Sequence, residues 1–403
     1  MIIRPEIVAP LSLSVMIQAL VSANAITVAV LAPVLAPALG LEPVAAGSYI
    51  ALVYLIAAIA SSFASKFLAR FSPGIVATMS LGFSTAGTAF LLSGEIWLFA
   101  LGGTISGIGY GLTSPATSAL LAGVTQPDAR ALVFSIKQAG VPLGGVLAGL
   151  IAPLLLQFDV AGLGDWRSAL VIVIAANLLF LLVSWLYFSG QNQGGIAAGG
   201  PPQKFSLIDL FRLPEARALV MTSFVFAGFQ LALSTYMVQH LVEQIGLTLV
   251  QAGALYSVSQ IAGIIGRFVW GALADWLKNN MLILRALAIG MVLFAIAAAI
   301  LAPGVPVFAI VIVAIGLGFT AHAWTGLYMA ELVSQVPVEQ AGAITGAAMT
   351  ITFTGVFVGP ALFGIIVSIA GNYSAGYIAC AFGCTLAYLL LQFTVRRPTG
   401  PAQ

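Results

Sequence analysis

Gly266-Arg267-Phe268-Val269-Trp270-Gly271-Ala272-Leu273-Ala274-Asp275 sets one arginine inside an apolar stretch that runs from Leu249 to Leu273. A run of that length fits a helix crossing a bilayer, which needs about 20 residues. A guanidinium in hydrocarbon is costly, so such a residue faces a cavity or the protein interior and marks a substrate or ion path. Arg267 lies eight residues before Asp275, roughly 12 Å deeper along a helix at 1.5 Å per residue. With Asp275 at a membrane edge, the arginine sits near mid-bilayer.

Composition extends this reading to the whole chain. Of 403 residues only 6% are charged and 61% hydrophobic, with a mean hydropathy of +1.11. Soluble domains carry about 25% charged residues, so the chain cannot build a water-exposed surface. Only helices and closed barrels satisfy their backbone in lipid, and long apolar runs select helices over the short alternating strands of a barrel. A net charge of +2 gives no footing for a nucleic-acid partner. Cys380 and Cys384, at i,i+4 in one apolar run, read as packed small residues. Arg4 and Ala23-Asn24-Ala25 imitate a cleavable leader, but apolar sequence continues to about Leu39, which points to a retained first helix.

Apolar runs between charges and Gly/Pro breaks give twelve spans: 9–39, 44–65, 73–93, 96–122, 130–157, 166–188, 216–240, 248–271, 283–302, 305–333, 342–369 and 374–395. Ser189–Ser206, with Gly194-Gly195-Ile196-Ala197-Ala198-Gly199-Gly200-Pro201-Pro202, is the one linker-like stretch and falls near the midpoint. The expected division is therefore a six-helix bundle over 1–189, a cytoplasmic linker over 190–206 and a second bundle over 207–403. Phe205–Arg217 mixes charge with apolar residues as an interfacial helix does. With both termini cytoplasmic, Arg4, Lys66, Arg70, Arg130, Lys204, Arg212, Arg217, Lys278, Arg285, Arg396 and Arg397 lie at inner ends and only Arg167 lies outside.

The halves echo each other. Ala46-Gly47 and Ala252-Gly253 share an offset of 206, and Gly109-Tyr110-Gly111-Leu112-Thr113 matches Gly316-Leu317-Gly318-Phe319-Thr320. Such internal symmetry marks transporters built from repeated bundles, though Gly-rich helix packing alone could produce it.

Twelve spans, the central linker and the Gly271-Ala272-Leu273-Ala274-Asp275 box resemble the major facilitator superfamily. Gly164-Asp165-Trp166-Arg167 and the Gly-rich stretch from Gly140 through Pro142-Leu143-Gly144-Gly145 to Pro153 add to the resemblance. The first-half copy of the Asp box, Ser65-Lys66-Phe67-Leu68-Ala69-Arg70, lacks Gly and Asp, and Gly102–Leu121 lacks the arginine of drug:proton antiporters. Arg267-x-x-x-Gly271-x-Leu273-Ala274-Asp275 looks like the eighth helix of monocarboxylate and oxalate:formate transporters, whose arginine there binds carboxylate. Ser135-Ile136-Lys137-Gln138-Ala139-Gly140-Val141-Pro142 is similar to bacterial permeases for small anions such as cyanate. The first helix, 7–39, departs from the monocarboxylate pattern by lacking a lysine and the acidic-Gly-aromatic motif. The resemblance implies an all-α inner-membrane transporter of two pseudo-symmetric six-helix bundles, rocking by alternating access around a central site.

Tyr256, Gln260, Gly263, Arg267 and Gly271 share one helical stripe. An arginine fork suits a carboxylate through two parallel charge-assisted hydrogen bonds. The other reading makes Arg267 a gate residue, snorkelling or paired with Asp275. Lys137 shares a stripe with Gly140 and Gly144 and is expected to face the cavity with Arg267, a pairing that favours an anion between them; a snorkelling lysine is the alternative. In the resembled fold helices one, four, seven and ten line the cavity. Gln18, Ser22 and Asn24; Tyr110, Thr113 and Thr117; Gln230, Ser234 and Tyr236; and Thr320, His322, Trp324 and Tyr328 are the candidates there, or else interhelical hydrogen bonds. His322 and Glu331 are proton-coupling candidates, although His322 could be a buried neutral imidazole and Glu331 an inner gate. On one continuous helix His322 and Trp324 would point about 200° apart.

No Walker loop, Cys/His metal spacing or Ser/His/Asp set occurs, so no enzymatic chemistry and no cofactor is expected. The expected function is proton-coupled transport of a small organic anion, a carboxylate, by a monomer in the bilayer. The alternative is an exporter or exchanger of neutral or amphipathic molecules that keeps Arg267 as a gate.

Overall fold

A computed structural model describes residues 5–125, 130–160, 162–163, 166–190, 207–336 and 341–393. Arg4, Gly164, Asp165, the linker 191–206 with Lys204, Arg396 and Arg397 lie outside the described residues, as do the side chains of Arg130, Asp209 and Glu215.

The described chain is helical throughout: α1 (Pro5–Ala38), α2 (Ala46–Ser62), α3 (Ala64–Leu68), α4 (Pro73–Leu91), α5 (Ile96–Val124), α6 (Arg130–Gln138), α7 (Gly140–Leu155), α8 (Trp166–Ser189), α9 (Leu207–Arg212), α10 (Pro214–Gln239), α11 (Leu249–Leu277), α12 (Asn280–Ala299), α13 (Val307–Ala321), α14 (Thr325–Val333), α15 (Ala341–Ala370) and α16 (Tyr373–Phe393). Among the described residues eleven segments are long and apolar enough to cross a membrane, and Ala46–Ser62 is a shorter apolar helix at the place of the expected second span. Local signals set several ends. Pro73 opens α4 behind Ser72, whose hydroxyl accepts from the Ile75 amide, and Asn279 caps α12 by accepting from the Leu282 amide. α10 runs into a wider π turn, His240–Gln244, and ends at Gly246 with φ +83°.

Two expected spans are not single helices. The fifth is α6 followed by α7, joined through a tightened turn in which the Ala139 amide donates to the Ile136 carbonyl at 3.1 Å. The tenth breaks outright: α13 stops at Ala321, α14 starts at Thr325, and His322–Trp324 connect them. The 200° separation expected for His322 and Trp324 on one continuous helix therefore does not apply.

The chain forms two compact units, the first of Met1–Gly200, Ala232–Ile261 and Ala302–Gly304, the second of Pro201–Leu231, Ala262–Leu301 and Val305–Gln403. α10 and α11 each contribute to both. In the first unit α5 packs closely on α4 and α2, and α1 on α7. A Cβ on Gly107 of α5 would stand 2.6 Å from the Val53 carbonyl of α2, so only glycine permits that approach. Polar ties hold the same bundle: Asn24 donates to Ser84 Oγ at 3.0 Å, and Asn177 donates to Asn24 Oδ1 at 2.7 Å. The second-half segments of this unit attach to first-half helices. Gln239 donates to the Ala29 carbonyl (3.3 Å), Tyr236 to that of Val44 (3.2 Å) and Ser257 to that of Val146 (3.1 Å). In the second unit α12 packs on α16, and Arg285 grips the Leu391 carbonyl through Nε and Nη2 at 3.0 and 2.6 Å.

Candidate functional site

The first unit holds a buried cation. Lys137 lies in the last turn of α6 and is only 2% exposed. Its ammonium donates to Ser118 Oγ at 2.8 Å, Ser114 Oγ at 3.1 Å and the Ser114 carbonyl at 3.3 Å. Three N–H groups thus meet three oxygens, all neutral and all from α5. Ser114 and Ser118 are i,i+4 and share a face. Pro115, directly after Ser114, removes one helix donor at this turn. The Phe134 ring lies 6.0 Å from the ammonium.

The glycines on the stripe of Lys137 let a partner helix approach closely, and that helix is α1. Gly140 faces α1, where a Cβ would stand 2.7 Å from the Val15 carbonyl, and Gly144 meets Ala19 and Ser22 of α1. Approach to α11 falls instead to Gly145, 2.9 Å from Gln260 Cδ, and Gly149, 2.6 Å from the Gly253 carbonyl.

The other first-unit candidates group around α1, α5 and α11. Gln18 donates to Gln138 Oε1 at 3.3 Å and Ser22 to the Val141 carbonyl at 3.1 Å. Asn24 sits inside the interhelical network with Ser84 and Asn177. Thr113 and Thr117 bond back to the Gly109 and Thr113 carbonyls of their own helix. Tyr110 is half-buried and accepts a 3.0 Å hydrogen bond from Tyr54, their rings 4.8 Å apart. Tyr256 and Gln260 are buried on α11.

The second unit is organised by the break in the tenth span. A helix end leaves carbonyls without backbone donors. The His322 amide still reaches the Gly318 carbonyl, and the Ala323 amide turns to that of Thr320 at 3.5 Å. Side chains of α11 take the carbonyls nearby: Trp270 Nε1 donates to Phe319 at 3.0 Å and Arg267 Nε to His322 at 2.8 Å. Gly263 and Gly266 bring the backbones together, with Cβ positions 2.7 Å from His322 Cβ and from the Phe319 carbonyl respectively. A cation at a helix C-terminus also meets the negative end of the helix dipole. Arg267 is thus half-buried, with its guanidinium plane oriented by the His322 carbonyl.

Past the break, Trp324 donates to Gln230 Oε1 at 3.0 Å and stacks near Phe226 and Tyr328 at 5.8 and 5.7 Å. Glu331 is buried one turn beyond Tyr328. Gly271 has open space around its Cβ position, and Asp275 is exposed. Lys137 belongs to the first unit and Arg267 to the second.

Ser114, Ser118, Tyr54 and Trp270 carry these arrangements and were not singled out from sequence. The i,i+4 spacing of the two serines was visible, as was the i,i+3 spacing of Arg267 and Trp270.

Comparison with known proteins agrees with this architecture. The chain is similar to the hexuronate transporter of Bacillus subtilis (strain 168), 23% identical over 290 residues, covering 68% of this chain and 67% of that protein. It also resembles an uncharacterized MFS-type transporter of Mycobacterium tuberculosis, 27% identical over 215 residues, 53% of this chain and 45% of that one. Among solved structures, a bacterial homolog to the human lysosomal transporter Spinster, inward-facing and occupied, aligns with a TM-score of 0.74 at 15% identity over 97% of both chains. The Escherichia coli fucose:proton symporter FucP aligns with a TM-score of 0.62 at 17% identity, over 96% of this chain and 99% of that one. These structural likenesses establish the fold. The Major Facilitator Superfamily model matches residues 13–355, and this chain of twelve apolar spans belongs to that superfamily: it is a multi-pass membrane transporter, not an enzyme.

Proposed function

We propose that the protein carries a small organic anion, a carboxylate, across the bacterial inner membrane by alternating access in symport with protons, its termini cytoplasmic. The observation that carries this reading is Lys137. Its hydrogen bonds are satisfied by Ser114 and Ser118, yet among the described residues no carboxylate balances its charge. Buried charges are normally paired. An anionic cargo would supply the missing charge, and opposite charges 4 Å apart attract by about 4 kcal/mol at an effective dielectric of 20.

In this reading Lys137 gives the first unit its positive potential. Arg267 binds the carboxylate in the second, its plane set by the His322 carbonyl. Gln18, Asn24, Tyr110, Tyr256 and Gln260 in one unit, and Gln230, Trp324 and Tyr328 in the other, are further proposed cargo contacts. His322 or Glu331 carries the proton, and Gly271 and Asp275 belong to the gate. The name of the Bacillus subtilis relative, a hexuronate transporter, supports a carboxylate cargo, and that of the fucose:proton symporter supports symport. A second reading has its own observation. The bond from Arg267 to the broken helix favours a gate role for that arginine, with neutral or amphipathic cargo exported or exchanged.

Uptake of mono- and dicarboxylates into proteoliposomes, with and without an inward proton gradient, tests the proposal. Removing a charge-assisted hydrogen bond costs about 1.5–3 kcal/mol, so Arg267→Ala should raise KM by about 10- to 150-fold, with Arg267→Lys intermediate; Lys137→Met removes the balancing charge and should raise KM as well. Carboxylate uptake untouched in Lys137→Met refutes the anion role. Uptake lost in Lys137→Met but kept in Arg267→Ala makes Arg267 a gate residue.

A further inference from the structure

Around Lys137 the first unit gathers hydroxyl groups that an inorganic or simple carboxylate anion would not need. On α5, Tyr110, Ser114 and Ser118 follow at i, i+4 and i+8 and so share one face. Ser114 is exposed and Tyr110 half-buried, whereas most of their apolar neighbours on the helix are buried. Ser114 and Ser118 each give a lone pair to the Lys137 ammonium. Tyr110, one turn away, receives the Tyr54 hydroxyl hydrogen at 3.0 Å. The hydroxyl of Tyr256 comes within electrostatic reach of the Tyr54–Tyr110 pair and lies beside Ser234. Ser22 lies beside Tyr110.

The bonds have a direction. Both serines act toward Lys137 as acceptors, and Tyr110 acts toward Tyr54 as an acceptor, so each hydroxyl can still donate its own hydrogen. A row of hydroxyl donors one turn from an ammonium matches a molecule with several oxygens along its length and a negative charge at one end. Resting on the anion reading above, we propose that the cargo is a hydroxylated carboxylate, a sugar acid or short hydroxy acid. Its negative end lies in the positive potential of Lys137, and its hydroxyls are read by Tyr110, Tyr54 and Tyr256. An aliphatic acid of equal length leaves these hydroxyls unmatched as it displaces their water, and a site built to bond substrate hydroxyls discriminates strongly against an analogue that lacks them.

The experiment is proteoliposome uptake of gluconate, hexanoate and sorbitol by wild type, Tyr110→Phe and Tyr54→Phe, each first checked for monodisperse folding. These probes share a six-carbon chain and differ in charge and hydroxylation. Wild type should show a KM for gluconate at least ten-fold below that for hexanoate and should not carry sorbitol. Phenylalanine at either position keeps the ring and removes the hydroxyl, so the preference for gluconate over hexanoate should shrink several-fold. If the tyrosines serve only to pack α2 on α5, both acids will be affected equally and the preference will stay, which overturns the proposal. Equal use of gluconate and hexanoate by wild type also overturns it while leaving the anion reading intact. Sorbitol carried as well as gluconate removes the anion reading and the carboxylate half of the proposal, and no uptake of any probe refutes it outright.

Discussion

Replacing Gly149 by alanine should part α7 from α11 at the end of the spans that bears the 246–248 loop. The new methyl would stand 2.6 Å from the Gly253 carbonyl oxygen and 2.9 Å from Tyr256 Cδ1, and would overlap the Ser257 hydroxyl. A close C–H···O contact needs about 3.3 Å, so the helices must separate by about 0.7 Å, the difference from 2.6 Å. A serine hydroxyl can rotate away, but a carbonyl inside a helix cannot. Overpacking of this kind costs about 1–3 kcal/mol, and the better helix propensity of alanine cancels because both states keep the helix. That cost lowers the ratio of packed to parted molecules by about 5- to 150-fold.

Spin labels at Phe158 and Thr248, both exposed next to these helices, would read the change by double electron–electron resonance in a background lacking Cys380 and Cys384. Gly149→Ala should add a longer-distance population, and transport should fall because the packed state is harder to regain. Gly326→Ala is the control: it lies on α14, and nothing comes within 4 Å of its Cβ position, so it should leave distances unchanged. An unaltered distribution in Gly149→Ala would refute the reasoning, since it would mean that the contact yields without cost.

Two further outcomes follow from carbonyls held by side chains. Trp270→Phe keeps a ring against Phe319, now 5.4 Å between centroids, but leaves the Phe319 carbonyl without its indole donor. An unsatisfied buried acceptor costs about 1–3 kcal/mol, so thermal unfolding in detergent should come earlier; an unchanged midpoint would show that water or a backbone amide replaces the indole. Arg285→Met removes both bonds to the Leu391 carbonyl at the end of α16. Amide hydrogen exchange over 388–393 should quicken by about 10-fold or more, from a loss of about 1.5–3 kcal/mol, with α4 as an unaffected reference; equal rates in both proteins would sink that assignment.

The spans were legible because hydropathy is a property of consecutive residues, and lipid forces each apolar run to close its hydrogen bonds within itself. The break at His322–Trp324 was not legible for the same reason. Val307–Val333 reads as one span long and apolar enough to cross a membrane and contains no proline, and the donors that make the break tolerable, Arg267 and Trp270, lie about fifty residues earlier. Polar candidates on α5 were missed through a related ambiguity. A hydroxyl on an apolar helix bonds back to its own turn, as Thr117 does, or meets a neighbouring helix, as Ser114 and Ser118 do, or does both, as Thr113 does through Gly109 and Ser80. Spacing alone does not separate the two, because the choice depends on what the adjacent helix presents.

The internal repeat is also a repeat of hydrogen bonding. In Gly109–Thr113 and Gly316–Thr320 the threonine hydroxyl bonds back to the first glycine carbonyl, at 2.9 and 2.8 Å. Just past each threonine a carbonyl accepts from a basic side chain of another helix: Ser114 from Lys137 at 3.3 Å, His322 from Arg267 at 2.8 Å. Yet the copy that contains a proline, α5, runs on to Val124, whereas the copy without one stops at Ala321. Proline removes a single donor and kinks a helix that can continue. A full break frees several carbonyls and needs outside donors; α11 brings two, Arg267 and Trp270, whereas Lys137 of α6 brings one to the Ser114 carbonyl. Each half therefore keeps a cation against helix carbonyls, a lysine that adds a point charge and an arginine that keeps an oriented plane. On the proposed anion reading, the two copies offer a cargo their positive charge in different chemical forms.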